Sequence, residues 1–359
     1  MKNILFLTPY PLNSAPSQRF RFEQYLPFFK KEGISYKVVS FLDEKTWAVF
    51  YKKGYTLQKI IGIIKGIINR HWIVFSLHQY DKLFIHREAC LVGSAYFEWL
   101  YAKVFRKNII YDFDDAIWIK DVSEVNKKLS WLKFPNKTDK IISYANIIIA
   151  GNNYLANYAL QFNKNVKVIP TTIDINYHFS HKVFKQNEKI RIGWTGTITT
   201  NNHLKLLFPV LVEIKKKYPQ VELVMISNAP IVDSSIEINY LKWDRATEIN
   251  DLSSFDIGIM PLPNDEWAKG KCGFKGLQYM ALGIPTIMSP VGVNNEIISD
   301  GENGFLATSE ADWIEKLSRL IESKELREKT GKAGRKTVVE RYSIEANREK
   351  YLSIFQKSI

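Results

Sequence analysis

Short apolar runs alternate with stretches of helical spacing along most of this chain. In the first half, the apolar runs predict strands at residues 3–7, 36–40, 82–85, 108–111 and 147–150, and the segments between them predict helices at 21–31, 91–105 and 138–144. The pattern restarts after residue 170, with strands expected at 190–194, 221–226, 256–260, 284–288 and 304–307 and helices at 203–217, 272–282 and 311–323. Strands that alternate with helices form parallel sheets with right-handed crossovers, so we expect an α/β protein with two doubly wound domains.

The length of the chain supports the same division. Its 359 residues exceed the ~250–300 at which a single core usually splits, and 46% of them are hydrophobic, so both halves can bury a core. We place the domains at 1–170 and 171–340, joined near 170–174, with a final helical segment at 341–359.

Ligands of doubly wound sheets bind beyond the carboxyl ends of the strands. In the first half, this rule selects the loops at 8–21, 86–88 and 112–118. In the second half, it selects the loops at 193–202, 261–275 and 289–295. We expect the two domains to present these edges to each other across a cleft.

The segment from 269 to 292 carries the clearest chemical signal. Lys269, Lys271 and Lys275 surround the start of a helix expected near Gly273, on which Lys275, Gln278 and Tyr279 share one face. The N-terminus of a helix attracts anions through its unpaired N–H groups and its dipole. We therefore expect the phosphates of a nucleotide here. The alternative is a solvated lysine cluster on an ordinary βα unit.

A second loop, at 193–200, is rich in glycine and threonine and follows the first strand of the second half. Its small residues suit close approach of the backbone to a phosphate or a sugar. It matches neither a dinucleotide-binding G-x-G-x-x-G motif nor a P-loop, and small residues at a strand end also form plain turns.

An acidic loop follows the strand at 108–111. Asp112, Asp114 and Asp115 stand within four residues, and we expect only Asp114 and Asp115 to point into the cleft. Such carboxylates can ligate a cation, accept hydrogen bonds from sugar hydroxyls or act as a base. The alternative is that Asp114 or Asp115 caps a helix.

Further candidates lie in the other loops of the first half. Arg87 and Glu88 end a strand and are expected at the same edge, beside His86, which is a base or a hydrogen-bonded loop histidine. Arg19 in the first βα loop can meet a phosphate bidentately. Arg21 is a phosphate candidate too, with a position on a helix surface as its alternative.

Composition narrows the class of partner. The chain carries a net charge of +13, which favours an anionic partner such as a membrane surface, a nucleic acid or a phosphorylated substrate. Its two cysteines cannot build a disulfide framework or a cysteine-rich metal site. The apolar run at the start is too short for an export signal, and no stretch approaches the ~20 apolar residues of a membrane span, so we expect a cytoplasmic protein.

Residues 51–72 favour a membrane surface. This segment contains Lys52, Lys53, Lys59, Lys65 and Arg70 and no acidic residue. On a helical wheel, Gly62, Gly66 and the lysines lie on one side. The isoleucines form an arc on the opposite side: Ile60, Ile63, Ile64, Ile67 and Ile68. A basic amphipathic helix of this kind can lie in a bilayer interface. The alternative is a helix whose isoleucines belong to the core.

Together these motifs resemble the retaining nucleotide-sugar glycosyltransferases of family 4. The residues that carry the resemblance are APSQRFRFEQYLP, IHRE, YDFDDAIW and VIPTTID in the first half, and GWTGT, KCGFKGLQYMALGIPTIMSPVG, Glu296 and DGENGF in the second. It implies the GT-B fold, which has two Rossmann-like domains. The first would bind the acceptor and the second the nucleotide-sugar donor, and the C-terminal segment would pack back on the first domain.

The resemblance also implies roles for residues. Gly196 and Thr197 would contact the diphosphate, Lys271 and Lys275 would hold its charge, and Gln278, Gly292 and Glu296 would belong to the donor site. Asp114, Asp115, Arg87 and Glu88 would position the acceptor and the sugar. The chain departs from the family in having Gly270 and Gln278 where two glutamates are usual, and Thr197 and His203 near the usual arginine and lysine.

The expected activity is transfer of a sugar, with retention, to a lipid-linked or polysaccharide acceptor. Lipopolysaccharide, capsule or exopolysaccharide synthesis on the inner face of the membrane would use such an enzyme, and the resemblance implies no metal and no cofactor. A nucleotide-sugar epimerase of the same fold is one alternative. A basic nucleic-acid-binding protein is the other, although the lysines do not interleave with aromatic residues along one face.

Overall fold

The computed structural model describes residues 2–119, 134, 136–179, 189–231 and 235–356. The chain divides into two compact units, Met1–Thr171 with Arg348–Ile359, and Thr172–Asn347. The division falls one residue beyond the expected boundary at 170. The C-terminal segment that belongs to the first unit begins at Arg348 rather than at 341.

The first unit contains a six-stranded parallel sheet in the order β2-β1-β3-β4-β5-β6. Its strands are β1 (Asn3–Thr8), β2 (Ser35–Ser40), β3 (Lys82–His86), β4 (Asn108–Phe113), β5 (Ile147–Ala150) and β6 (Val166–Val168). Its helices are α1 (Pro16–Arg19), α2 (Leu26–Lys31), α3 (Glu44–Phe50), α4 (Thr56–Trp72), α5 (Tyr96–Trp99), α6 (Lys137–Tyr144) and α7 (Asn153–Leu160).

The second unit repeats this plan with a parallel sheet in the order β12-β11-β10-β7-β8-β9. Its strands are β7 (Ile190–Thr195), β8 (Val221–Ser227), β9 (Asn239–Lys242), β10 (Ile257–Met260), β11 (Thr286–Met288) and β12 (Phe305–Leu306). Its helices are α8 (Asn201–Lys205), α9 (Phe208–Lys217), α10 (Glu248–Ser253), α11 (Glu266–Lys269), α12 (Phe274–Ala281), α13 (Asn294–Ile297), α14 (Glu310–Glu322) and α15 (Lys324–Thr337), and α16 (Ile344–Gln356) ends the described chain. The predicted α/β class with two parallel sheets is confirmed.

Most differences from the predicted elements occur where helices are interrupted. The helix expected at 21–31 is a 3₁₀ turn at Glu23–Tyr25 followed by α2, and the helix expected at 203–217 is split into α8 and α9. Both α2 and α9 begin with a proline in their first turn, where its missing N–H costs nothing. Strand β9 was not predicted because it is a partly exposed, largely polar strand at the sheet edge.

Aromatic packing fixes the C-terminal helix to the first unit. The ring of Tyr351 stacks on Tyr25 with centroids 4.2 Å apart, and Phe355 lies edge-on to Phe29 at 4.8 Å. Phe6 of β1 extends the same cluster. Such aromatic pairs add about 0.5–1.5 kcal/mol each beyond the burial of their area. The last helix therefore completes the core of the first unit.

Helix α4 packs through its glycines, not through its isoleucines. A Cβ atom on Gly62 would lie 2.2 Å from the Thr46 hydroxyl, and one on Gly66 would lie 2.7 Å from the backbone oxygen of Phe41. On the other side of the helix, Ile60, Ile61, Ile64 and Ile68 are each 44–50% exposed, and Trp72 is 65% exposed. The alternative that the isoleucines belong to the core is therefore wrong.

Arg70 continues the buried face of α4. Its side chain donates hydrogen bonds to the backbone oxygens of Ala89 at 2.6 Å and Thr8 at 3.0 Å. Burial lowers its pKa to about 10, so it remains charged near neutral pH. Arg70 is consequently not one of the basic residues at the surface of the 51–72 segment, which corrects the expected count.

The helical run that starts with α4 is longer than the sequence predicted. It continues through a 3₁₀ segment to Gln79, and Thr56–Gln79 is long and apolar enough to cross a membrane by length and composition alone, with 28% of its most apolar stretch buried. The expectation that no stretch approaches a membrane span is therefore wrong. The contacts of Gly62, Gly66 and Arg70 hold this helix along the first unit, which favours a surface-lying helix.

A buried ion pair and its hydrogen-bond partners join four segments of the first unit. Nη2 of Arg21 lies 2.5 Å from Oδ1 of Asp112, and Nη1 donates to the Ile169 oxygen at 2.6 Å. Nδ1 of His86 lies 2.8 Å from the other oxygen of Asp112. Arg21 is only 2% exposed, so neither a helix-surface position nor phosphate binding is available to it. His86 is likewise a buried partner of Asp112 and not a solvent-exposed base.

We expect Gly66→Val to destabilise the protein by roughly 1–3 kcal/mol, the usual cost of overpacking. The Cβ would press on the Phe41 carbonyl, which is backbone and cannot move aside like a side chain. Thermal unfolding measures the effect. Ile64→Val, on the exposed face of the same helix, is the control and should change stability by less than about 0.5 kcal/mol. Equal losses for both variants would contradict the packing described.

We expect Asp112→Asn to cost about 3–5 kcal/mol, because it leaves the buried Arg21 without its counter-charge. Burial raises the pKa of Asp112, but Arg21 and His86 outweigh burial and lower it. The wild type should thus keep this contribution above about pH 4 and lose it as the pH falls further. Urea titration at several pH values measures both effects. Glu222→Gln, which breaks surface pairs with Lys189 and Arg191, should cost at most about 1 kcal/mol.

Candidate functional site

The loop after β7 is built around the ring of Trp194. A Cβ on Gly196 would lie 2.2 Å from this ring, so only glycine lets the chain pass here. The loop then closes on itself, since the Thr197 N–H donates to the Thr200 hydroxyl at 3.0 Å. It is also tied to the loop after β8, since the Ile198 N–H donates to the Asn228 side chain at 2.7 Å. Gly196 and Thr197 therefore lie at the carboxyl edge of the sheet, as expected.

Helix α12 begins at the position that the sequence predicted. Gly273 precedes it with a φ of +68°, and a Cβ there would lie 2.3 Å from the Ile297 side chain. Nζ of Lys275 in the first turn lies 5.7 Å from the ring centre of Trp194. The helix start and the loop after β7 therefore meet over one aromatic ring, which places Lys275 beside Gly196.

Lys271 and Lys269 behave differently. Nζ of Lys271 lies 4.6 Å from the ring centre of Trp267, whereas Nζ of Lys269 pairs with Glu266 on its own short helix at 2.6 Å. The expected convergence of three lysines is thus wrong for Lys269. The expected convergence is consistent with the positions of Lys271 and Lys275, because both lysines act electrostatically on the half-buried His203 of α8.

The neighbouring charges affect the pKa of His203. Burial first, and then Lys275 and Lys271, lower the pKa of His203 to about 4, with Asp265 acting in the opposite direction. Its imidazole is therefore neutral near pH 7. From the sequence, His203 was noted only as lying near the position of the family's usual lysine and was given no role, because a lone histidine on a short helix carries no signal of its own.

Tyr279 does not share the exposed face with Lys275. Its ring is buried against Phe255 and Gly258, and its hydroxyl accepts a hydrogen bond from the Thr195 N–H at 2.8 Å. Burial raises the pKa of Tyr279 well above its usual range, so the hydroxyl stays neutral. Tyr279 thus ties α12 to the end of β7, which corrects the predicted helical face.

The remaining donor-site candidates lie around this helix. Gln278 is 3% exposed, and its Nε2 lies 3.2 Å from Nε2 of His178. Gly292 has a φ of +55°, and a Cβ there would lie 2.5 Å from the backbone oxygen of Lys269, so the two loops touch. Glu296 is exposed on α13. A role of these three residues in binding the donor stays a prediction.

In the first unit, Arg87 forms ion pairs with both acidic candidates, Asp114 and Asp115. Its guanidinium lies 2.7 Å from Oδ1 of Asp114 and 2.6 Å from Oδ2 of Asp115. Burial lowers the pKa of Arg87, but Asp114 and Asp115 outweigh burial and raise it well above its usual range. Arg87 adopts a φ of +59°, and its carbonyl accepts a hydrogen bond from the Tyr111 hydroxyl at 2.7 Å.

The other first-unit candidates are also placed by partners. Glu88 lies 2.8 Å from Nζ of Lys137, and Arg19 is mostly buried with its guanidinium over the ring of Phe20 at 5.0 Å. The capping alternative for Asp114 and Asp115 would involve a following helix, and residues 120–133 lie outside the described part of the chain.

No sequence pattern pointed to an aromatic cluster that lies beside Arg87. The ring of Tyr10 lies 4.5 Å from Trp47, whose ring meets Tyr51 at 5.6 Å. Tyr10 also interacts electrostatically with Arg87. The cluster joins the loop after β1 to helix α3. Its members are separated in sequence, so only the fold brings them together.

Metal binding has no evident site in what the structure describes. Within residues 2–119, 134, 136–179, 189–231 and 235–356, no group of three or more histidine, cysteine or acidic side chains is arranged to hold an ion. Asp114 and Asp115 have Arg87 between them instead.

The second unit contains the part of the chain that matches a known family. Residues 189–323 match the family model described as glycosyl transferases group 1. Among curated proteins, the chain is 26% identical over 170 residues to spore coat protein SA of Bacillus subtilis, which covers 43% of this chain and 45% of that protein. The match thus spans less than half the length of this curated relative.

Solved structures resemble the chain over nearly its whole length. A glycosyltransferase of Rickettsia africae has a TM-score of 0.71 at 15% identity, covering 99% of this chain and 98% of that one. Anabaena HepE in complex with UDP and glucose has a TM-score of 0.66 at 13% identity, covering both chains fully. Sucrose-phosphate synthase of Thermosynechococcus elongatus has a TM-score of 0.69 at 11% identity, covering 99% and 98%. Residues 189–323 thus form a glycosyl transferases group 1 domain, and the chain has the GT-B fold of the glycosyltransferases it resembles.

Proposed function

We propose that this protein is a retaining glycosyltransferase of the family 4 type, which moves a sugar from a nucleotide diphosphate to a glycan or lipid-linked acceptor. The observation that carries the proposal is the meeting of Gly196, Lys275 and the α12 N-terminus over the ring of Trp194. Backbone, a helix N-terminus and a lysine that converge on one point suit a diphosphate.

The relatives support the donor class. HepE is described in complexes with UDP and with UDP-glucose, and TarM of Staphylococcus aureus in a complex with UDP and a GlcNAc-glycerol. By analogy, the second unit of this protein would bind a uridine or guanosine diphosphate sugar.

The leaving diphosphate would be stabilised electrostatically. Lys271, Lys275 and the first N–H groups of α12 would hold the charge that grows as the bond to the sugar breaks. We propose that no metal, cofactor or covalent nucleophile takes part. Turnover that persists in a chelator, and an unchanged anomeric configuration by NMR, would support these two points.

The acceptor would bind in the first unit. Asp114 and Asp115 would accept hydrogen bonds from sugar hydroxyls while Arg87 holds them in place, with Glu88 and Arg19 nearby on the same sheet edge. The Tyr10–Trp47 pair beside them offers the aromatic faces on which sugar rings commonly pack.

The exposed face of α4 supports the proposal that this is a cytoplasmic protein attached reversibly to the inner face of a membrane. The half-exposed isoleucines and Trp72 form an exposed apolar strip within the described part of the chain, and Lys52, Lys53 and Lys65 around it are exposed. Two copies pairing through this strip would bring lysines against lysines, whereas an anionic bilayer complements them. We propose that the protein takes part in the synthesis of a surface polysaccharide at that membrane.

The alternatives have less support. An epimerase of this fold would need no membrane-facing strip and no acceptor site. A nucleic-acid-binding protein would place its basic residues along one groove, whereas Arg21 and Arg70 are buried and bound within the first unit.

Lys275→Ala should weaken binding of UDP or GDP by roughly 1–3 kcal/mol, the scale of a lost charged hydrogen bond. Isothermal calorimetry measures it. Lys269→Ala removes the same charge from the end of α11, six residues earlier in the chain, but this lysine pairs with Glu266, so its effect should be small. A wild type that binds neither nucleotide nor a nucleotide sugar would refute the proposed function.

Attachment to liposomes that contain anionic lipid should fall in the Lys59→Glu/Lys65→Glu variant. Because each basic residue near an anionic surface contributes about 1 kcal/mol, the loss should be at least roughly thirtyfold in partitioning. Co-sedimentation measures it. The control Lys216→Glu/Lys336→Glu makes the same charge change at exposed sites of the second unit and should pellet like the wild type. Equal pelleting of all three proteins, or none, would mean that α4 does not meet a membrane.

A further inference from the structure

One ring nitrogen of His203 is buried in a way that packing alone does not explain. It lies on α8, which begins directly after the glycine-threonine loop, and its Nδ1 is buried with no hydrogen-bond partner in the described part of the chain. The next residue, Leu204, supplies the core contact of this helix. Burying a polar nitrogen without a partner is costly, so such a group needs a reason.

Charged groups face His203 from the neighbouring segments. Lys275 lies in the first turn of α12, Lys271 lies in the loop before it, and Asp265 caps the short helix α11 with its side chain. Trp194, under this cluster, also has a buried Nε1 without a partner among the described residues. Two donor-capable nitrogens without partners thus accompany two lysines at one sheet edge.

We propose that His203 is a third ligand of the donor diphosphate, and that it takes up one proton when a nucleotide sugar binds. The proposal rests on the proposed function, because it assumes that the diphosphate sits beside Lys271 and Lys275. A neutral imidazole can donate one hydrogen bond, whereas imidazolium donates two and adds a charge. His203 therefore supplies a cation only when the anion is present.

The direction of the pH dependence follows from the charges. Without ligand, burial and the two lysines hold the pKa of His203 at about 4, so the ring is neutral above about pH 5. A diphosphate offsets the lysines and favours the charged ring, so the pKa rises on binding. Between the two pKa values, affinity should increase as the pH falls, by up to about tenfold per pH unit. Well above the bound-state pKa, affinity should not depend on pH through this residue.

The test is calorimetry of UDP-glucose and GDP-mannose binding at about pH 6 and about pH 8, in buffers of different ionisation enthalpy. In both probes each phosphate carries one ester and one anhydride bond, so their own charge stays constant, unlike UDP, whose terminal phosphate titrates near pH 6. The variants are His203→Gln, which cannot be charged, and His203→Lys, which is always charged. His78→Gln, an exposed histidine of the first unit, is the matched control.

The expected result is proton uptake approaching one per nucleotide sugar near pH 6 for the wild type and for His78→Gln. His203→Gln should bind without uptake and show at least a threefold weaker affinity near pH 6. His203→Lys should bind without uptake and keep its affinity at pH 8. Binding by the wild type with no proton uptake, or uptake that persists in His203→Gln, would overturn the inference and leave the proposed function intact. Failure of the wild type to bind either probe would instead refute the proposed function.

Discussion

The proposed donor site depends on one hydrogen bond, from the Thr195 N–H to the buried hydroxyl of Tyr279. This bond fixes α12 against the end of β7, and two glycines make room for it. A Cβ on Gly258 would lie 2.4 Å from the Tyr279 ring, and one on Gly193 would lie 2.0 Å from Phe255 beside it. With α12 held in this way, its first turn and Lys275 can only meet the loop around Gly196. The site is therefore a consequence of core packing beneath it.

Aromatic rings also orient the two lysines of the candidate site. Lys271 lies against Trp267 and Lys275 against Trp194. The face of an indole attracts an ammonium group by about 0.5–2 kcal/mol, so each ring favours one position of its lysine. Lys269 instead pairs with Glu266 on its own short helix, so a carboxylate and not a ring directs it.

Much of the fold could be predicted from sequence because buried parallel strands are continuous apolar runs, and because Gly273 and Gly283 mark the ends of α12 by positive φ. What could not be predicted is which side of an element faces the core. In α4 the most apolar arc is exposed and the glycines are buried, since close backbone contact with Thr46 and Phe41 leaves room for no larger residue. In α12 the face of Tyr279 was assigned wrongly because its hydroxyl has a backbone partner that the sequence does not reveal.

The sequence alone could likewise locate candidate residues, but it could not separate buried structural residues from those at the surface. Arg21 and Arg87 both stand in loops at the sheet edge, yet Arg21 is closed off by Asp112 while Arg87 holds two partly exposed carboxylates. The distinction arises from the neighbouring strands, because β4 carries Asp112 inward and turns Asp114 and Asp115 outward only after its end. A buried arginine with a single carboxylate is satisfied and structural. Arg87 instead joins two partly exposed carboxylates beyond the end of the strand, so the same residue type serves the core in one place and a loop at the sheet edge in the other.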